Sequence, residues 1–363
     1  MKNLALKRIQ KMKPYQPPLA GRSEYDGMLL DFNEQTQPPS PKVIHALEKF
    51  VKGKNLQVYP EYFDLEEKIA EYTGVSPEQV MLTNGSGQGI DIIFQTFTEK
   101  GDKVIIPSPT FAMFKQRAQV AGNKIIMPLY KKSDLSFPLE EILDSIDEQV
   151  KLLVVCNPNN PTGTAVPLQD IEKIARKAKK AIVYIDEAYF EFSKITAVPL
   201  LKKYPNIIIT RTFSKAFGLA SLRIGYVIAA KKHIAEMLKV RGPYDVNMLA
   251  YCAASAAFED RENMKNYVEE VMEKAKPLVE KFFTENNILF EPSAANFILF
   301  RPAYAQRVWT LLAESGVLTR EQNKKNIRGT LRVTIGAVKQ MKKFIKIYQT
   351  KIIRYYEKTN RNH

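Results

Sequence analysis

Seven short apolar runs punctuate the first two thirds of the chain: QVMLT (79–83), KVIIP (103–107), KIIM (124–127), KLLVVC (151–156), AIVYID (181–186), NIIIT (206–210) and IGYVIA (224–229). They are rich in β-branched residues and almost unbroken by polar positions, the pattern of strands buried on both faces. The stretches between them repeat apolar residues with helical period, so the alternation predicts an α/β body around a mostly parallel seven-stranded sheet. From about Glu259 the pattern changes. A long helical stretch leads to NILFEP, ANFILF, a helix around Ala303 to Ser315, TLRVTI and a terminal helix, which reads as a smaller α+β domain. The expected division is an N-terminal arm at 1–45 that packs with the small domain, a large domain at 46–258 and the small domain at 259–363.

In open sheets of this kind ligands bind beyond the carboxyl ends of the strands, and chemistry-bearing residues fall there. Asn160 lies in NPNNPTG after the fourth run, Asp186 ends the fifth with Tyr189 three residues on, and Thr212, Ser214 and Lys215 follow the sixth, with Arg223 shortly after. An amide, a carboxylate, a phenol, an amine and a guanidinium in this order are the inventory needed to hold pyridoxal 5'-phosphate. A lysine that condenses with the cofactor's aldehyde must be neutral, hence depressed in pKa by burial or a neighbouring cation. Lys215 is that candidate. Asp186 would keep the ring nitrogen protonated, a charge-assisted bond of roughly 1.5 to 3 kcal/mol. Asn160 and Tyr189 could bond the ring's phenolate oxygen. The phosphate could take Arg223, Ser214, Thr212 and the backbone amides of Ser86, Gly87 and Gln88 in the turn TNGSGQG (Thr83 to Gly89), where a glycine-rich strand-to-helix connection offers an anion its N–H groups.

These motifs identify the chain as resembling the fold-type I, class I/II pyridoxal-phosphate aminotransferases, and within them the histidinol-phosphate branch. The resemblance covers nearly the whole sequence and includes KPYQPP (Lys13 to Pro18), LDFNE (Leu30 to Glu34), VYPE (Val58 to Glu61), PSPTFAMF (Pro107 to Phe114), ANFILF (Ala295 to Phe300) and GVLTREQNKKNIRGTLRVTIG (Gly316 to Gly336). It implies an aspartate-aminotransferase-like fold, and a homodimer with shared active sites in which Tyr59 reaches a phosphate across the interface. It also implies that Phe111 stacks on the cofactor and that Arg332 receives a substrate anion, with Arg320, Tyr15 and Asn33 near the substrate end. Each has a plainer reading: Phe111 as a core aromatic, Tyr59 as a turn tyrosine, Arg332 as a surface strand residue. The implied reaction moves an amino group between glutamate and a phosphorylated or aromatic keto or amine substrate.

Two departures bear on the substrate. The family commonly carries an Asn-Pro-x-Gly-Pro run where this chain reads QTQPPSP (Gln35 to Pro41), and Asp245 stands where Asn is common. The alternatives are therefore aromatic or other phospho-substrate transamination, or a phospho-amino-acid decarboxylase of the same fold. A non-catalytic cofactor-binding regulator ranks below these, because the first 45 residues show no helix-turn-helix pattern.

Composition narrows the remaining choices. At 363 residues, 45% hydrophobic and 26% charged, the chain is long enough for two cores and shows no bias towards disorder. It has no apolar run of membrane-spanning length and no cleavage-type leader, so a cytoplasmic enzyme with no membrane partner is expected. Cys156 and Cys252 are isolated and His45, His233 and His363 share no ligand spacing, so no metal site is expected. The net charge of +15 is spread over stretches such as KIARKAKK (Lys173 to Lys180) and the tail from Lys342 to His363, with no accompanying recognition motif; a nucleic-acid role is not expected.

Overall fold

The fold is given by a computed structural model that describes residues 3–53 and 55–354. All seven apolar runs form strands of one sheet: β1 (Val80–Thr83), β2 (Lys103–Ile105), β3 (Lys124–Ile126), β4 (Val150–Cys156), β5 (Ile182–Asp186), β6 (Ile207–Thr212) and β7 (Gly225–Ala229). Their spatial order is β1-β7-β6-β5-β4-β2-β3, and only β7 runs against its neighbours. Every residue of β5, β6 and β7 is buried, as strands covered by helices on both faces require. The covering helices bury one stripe each. In α3 (Leu168–Lys177) that stripe is Ile171, Ile174 and Ala175, leaving its basic residues to solvent.

Two glycines set the carboxyl end of the sheet. Helix α2 (Gly85–Phe97) begins at Gly85 with φ +69°. A side chain on Gly225 would bring its Cβ within 2.7 Å of the Ser86 amide, so only glycine lets β7 pass this close to the start of α2.

A second, antiparallel sheet is built from β8 (Leu289–Phe290), β9 (Phe297–Arg301), β10 (Arg320–Gln322) and β11 (Thr330–Thr334) in the order β10-β11-β9-β8. It packs with the helix Ala305–Glu314 and with Val338–Ile347, which continues through Tyr348–Ile353 in wider turns. Of the basic tail at 342–363, the part up to Arg354 belongs to this helical end, and residues 355–363 lie outside the described residues. The N-terminal segment is tied to this sheet: Met28–Leu29 pairs in parallel with Val317–Leu318, and the Thr334 amide donates to Leu30 O at 2.9 Å. It also touches the main body, where Arg8 Nε donates to Val120 O at 2.8 Å. The helix α1 (Pro41–Lys52), capped by Ser40, then packs on Met248–Glu259.

Candidate active site

Three parallel strands end at one cavity of about 770 Å³, which Cys156, Asp186 and Thr212, the last residues of β4, β5 and β6, all line. The same cavity is lined by Ser86, Gly87, Phe111, Asn160, Tyr189, Ser214, Lys215 and Arg223 from the main body, by Arg320 and Arg332 from the second sheet and by Tyr15 from the arm. The sequence placed Asn160, Asp186 and Lys215 at strand ends; the fold brings them into one chamber with the rest.

Lys215 donates from Nζ to the Phe32 carbonyl at 2.7 Å, and its Nζ lies 5.9 Å from the centre of the Tyr189 ring. The side chain keeps some surface in the open cavity, but the amine itself is enclosed. Burial first, then the guanidiniums of Arg332 and Arg223, bring its pKa down to about 8 against the pull of Glu34 and Asp186. A neutral amine is therefore accessible near physiological pH, as carbonyl condensation requires.

Asp186 is 3% exposed and, among the described residues, takes part in no ion pair. The Ala188 amide donates to its Oδ1 at 3.1 Å and the Thr210 hydroxyl reaches the same oxygen at 3.5 Å, yet burial pushes the carboxyl up to about 7. Facing the cavity, it is an acceptor waiting for a cationic N–H.

Above it the Tyr189 hydroxyl accepts from Asn33 Nδ2 at 2.9 Å and from Asn160 Nδ2 at 3.1 Å. Both contacts use the phenol as acceptor, which leaves its proton for a ligand oxygen. Burial raises the pKa of this phenol, so it stays protonated.

The cationic corner is built under backbone strain. Arg223 is a non-glycine residue at φ 57°, a left-handed conformation that costs about 1 kcal/mol or more. Its Nη1 lies 3.4 Å from Ser214 Oγ and 3.0 Å from Ala220 O. A Cβ on Gly85 would fall 2.5 Å from its Nη2, so glycine is needed there for the guanidinium to sit against the start of α2. Thr212 Oγ1 accepts from the Ser214 amide at 3.1 Å. A guanidinium, hydroxyls and helix N-terminal amides around one space form a phosphate cradle.

At the opposite end Arg332, from β11, donates to Asn160 Oδ1 and to Asp31 O, and its buried Nε has no partner. Arg320 stands opposite it across the β10–β11 pair. The Arg320 and Arg22 guanidiniums lie 5.6 and 4.8 Å from the centre of the Phe32 ring, and Arg22 is also paired with Asp31 and Glu34.

Three of the expected residues do not present their side chains to this chain's cavity. The Gln88 side chain turns away from the cavity: its Oε1 accepts from the Asn84 amide at 2.6 Å and its Nε2 donates to Asp245, so it ties off the helix start. Tyr59 is 75% exposed and stacks at 4.6 Å on Tyr244, away from this chain's cavity. Asn33 is fully buried behind the cavity wall, bonded to Tyr189. One contributor had no signal in the sequence. Lys324, part of a basic pair, lines the cavity and donates to Thr110 O, and burial followed by Lys115 depresses it to about 8. Among the described residues no group of side chains could hold a metal ion.

The sequence model of the family "Aminotransferase class I and II" matches residues 25–347. The chain belongs to that family. This aminotransferase is 38% identical over 348 residues, 93% of its own length and 94% of the relative's, to a dihydroxyacetone phosphate transaminase of Campylobacter jejuni. It is 33% identical over 317 residues, 86% and 88% of the two chains, to a histidinol-phosphate aminotransferase of Ruminiclostridium cellulolyticum. Its fold matches the histidinol-phosphate aminotransferase of Sinorhizobium meliloti, solved with pyridoxal 5'-phosphate, at TM-score 0.85 and 23% identity, covering 94% of this chain and 96% of that one. The aminotransferase's own residues fit that cofactor: a depressed amine, a buried carboxyl without a cation, a phenol with a free proton and a phosphate cradle stand around one cavity.

Proposed function

We propose that the protein is a pyridoxal-phosphate-dependent aminotransferase that moves an amino group between glutamate and a small phosphorylated keto or amine substrate, with histidinol phosphate as the foremost candidate. The observation that carries this reading is the enclosed Lys215 amine, brought to about 8 and standing in one cavity with an unpaired buried Asp186. When bound, the cofactor supplies the aldehyde that takes the amino group and the electron sink that stabilises the substrate carbanion.

The chain's residues supply the rest. Asp186, as a carboxylate, would accept a bond from the ring nitrogen and keep it protonated, while Tyr189 and Asn160 would donate to the ring oxygen and Phe111 would stack on the ring. Arg223, Ser214, Thr212 and the amides at the start of α2, those of Ser86, Gly87 and Gln88, hold the phosphate. Lys215 Nζ would hold the cofactor's aldehyde carbon and, as a free amine, would take the proton from the donor's Cα; Arg332 and Arg223 disfavour its charged form and so favour the neutral amine that can accept that proton. Arg332 and Arg320, with Tyr15 beside them and Asn33 bracing the wall, receive a carboxylate or a phosphate, because a guanidinium pairs either anion.

We place the cofactor on residues 46–258, the small α+β domain at 259–363 and the arm at 1–45 packing with it, with a homodimer in which Tyr59 of one subunit completes the other's phosphate site. Exposed Leu56, Val58, Tyr59, Phe63 and Tyr244 supply the apolar surface that such an interface needs. The setting is the cytoplasm, without a membrane partner; no helix among the described residues is long and apolar enough to cross a bilayer.

A second reading has its own support, since the Campylobacter jejuni relative is named for dihydroxyacetone phosphate and matches at 38% identity. The test is 2-oxoglutarate release from glutamate with imidazole-acetol phosphate, dihydroxyacetone phosphate and phenylpyruvate as competing acceptors. The histidinol-phosphate reading expects the first to give the highest kcat/KM. A preference for dihydroxyacetone phosphate moves the assignment to that substrate, and no turnover with any phosphorylated acceptor removes the phospho-substrate reading.

A further inference from the structure

A second cavity, of about 550 Å³, opens at the other edge of the main sheet. Lys151 near the start of β4, Ala181 and Ile182 at the start of β5 and Asn206 just before β6 line it, so it lies at the amino ends of the strands whose carboxyl ends form the active site. The lining residues Lys151 and Cys156 are five positions apart along β4, and Ile182 and Asp186 four along β5, so at roughly 3.3 Å per residue the two cavities are about 15 Å apart. They are separate sites.

Its lining holds six cationic side chains, Lys151, Arg176, Lys179, Lys180, Lys203 and Lys232, and no carboxylate. Lys180 pairs with Glu148 and Lys203 with Glu172 at its rim, at 2.7 and 2.8 Å. Among the described residues, Lys151, Arg176, Lys179 and Lys232 have no carboxylate within 4 Å. Arg176 is partly explained by its place in the last turn of α3, where a cation meets the negative end of the helix dipole. Lys232 has no such account. Helix α4 (Lys231–Val240) opens with Lys231, paired with Glu78 at 3.3 Å, and Lys232, and carries no acid in its first turn, so Lys232 stands at the end of the dipole that repels a cation. One wall is aromatic: Phe97 lies edge-on to His233 at 5.2 Å, and the Tyr204 ring lies 5.2 Å from Lys203 Nζ. Nothing in the transamination chemistry uses this concave surface, in which four of six gathered cations have no carboxylate partner among the described residues.

We propose that this cavity is an anion-binding site for an oligophosphate group, the di- or triphosphate of a small metabolite. A single phosphate could engage only part of four free cations spread over several elements, whereas a chain of two or three phosphates spans them. The aromatic wall offers a face to a base if the oligophosphate is a nucleotide's.

Isothermal titration of the cofactor-loaded full-length protein with tripolyphosphate, ATP and orthophosphate tests this. Tripolyphosphate should bind once per chain, far more tightly than orthophosphate, and more weakly as salt is raised. ATP binding tighter than tripolyphosphate assigns the site to nucleotides; the reverse order assigns it to oligophosphates without a base. The double substitution Arg176→Ala with Lys232→Ala should weaken tripolyphosphate about a hundredfold, at about tenfold for each charge-assisted contact, while transaminase turnover stays unchanged. Lys151→Ala with Lys179→Ala repeats the test on other walls should the first pair fold poorly. Equal affinity in wild type and both double variants, no binding of tripolyphosphate, or binding lost when glutamate occupies the active site would each overturn the assignment.

Discussion

Replacing Lys215 by methionine should make the cofactor-free protein more stable, and the gain should fade as pH rises. The fold lowers this amine from 10.5 to about 8, chiefly by enclosing it and setting Arg332 and Arg223 nearby. At neutral pH the ammonium is therefore held in the folded state at a cost of about 3 kcal/mol. Methionine removes that cost and also the bond to Phe32 O at 2.7 Å, a loss of about 1 kcal/mol, which leaves a net gain of about 2 kcal/mol. The sign follows from proton binding. Between pH 8 and 10.5 the unfolded chain holds a proton on this lysine that the folded chain has released, so wild-type stability from this group rises across that window. Urea unfolding followed by circular dichroism, for both proteins freed of cofactor, should show the variant ahead at pH 7 and the difference closing or reversing by about pH 10.5. A variant less stable than wild type at pH 7, or a difference that does not change with pH, would refute the idea that this amine is held as a strained cation.

Arg332→Ala should raise the KM for glutamate by about tenfold or more, the value of one charge-assisted pair, with a smaller loss of cofactor affinity measured by equilibrium dialysis. Equal losses of both would make Arg332 structural, through its bonds to Asn160 and Asp31 O. Mixing Tyr59→Phe protein, impaired in cofactor retention, with inactive Lys215→Ala protein should raise activity per intact lysine after subunit exchange, because one site of each hybrid dimer is intact; no gain after verified exchange would mean that each site is self-contained.

The strands were legible because parallel sheets demand unbroken apolar runs, and with them came the strand ends that carry Asn160, Asp186, Thr212 and Lys215. Legibility failed where a contact depends on a backbone atom or on distant segments. The acceptor for Lys215 is a main-chain carbonyl at Phe32, 183 positions away, and any residue could have provided it. Asn33 could be guessed near the substrate end, but its bond to Tyr189 follows from how the arm threads between the sheets. The side chain of Gln88 was assigned no direction by its place in a glycine-rich turn; Asp245 as a partner decides it. Nothing in the sequence separates Lys324 from its neighbour Lys325, and only tertiary placement sets it against the cavity wall.

The stretch from Asp31 to Glu34 has a practical meaning for anyone trimming this protein. Its carbonyls take the Lys215 amine and the Arg332 guanidinium, its amide supports Tyr189, and its aromatic ring lies near two arginines. A minimal catalytic fragment cut at the first strand of the main sheet would keep the lysine and lose the neighbours that orient it, so any shortened or transplanted version must carry this tetrapeptide along.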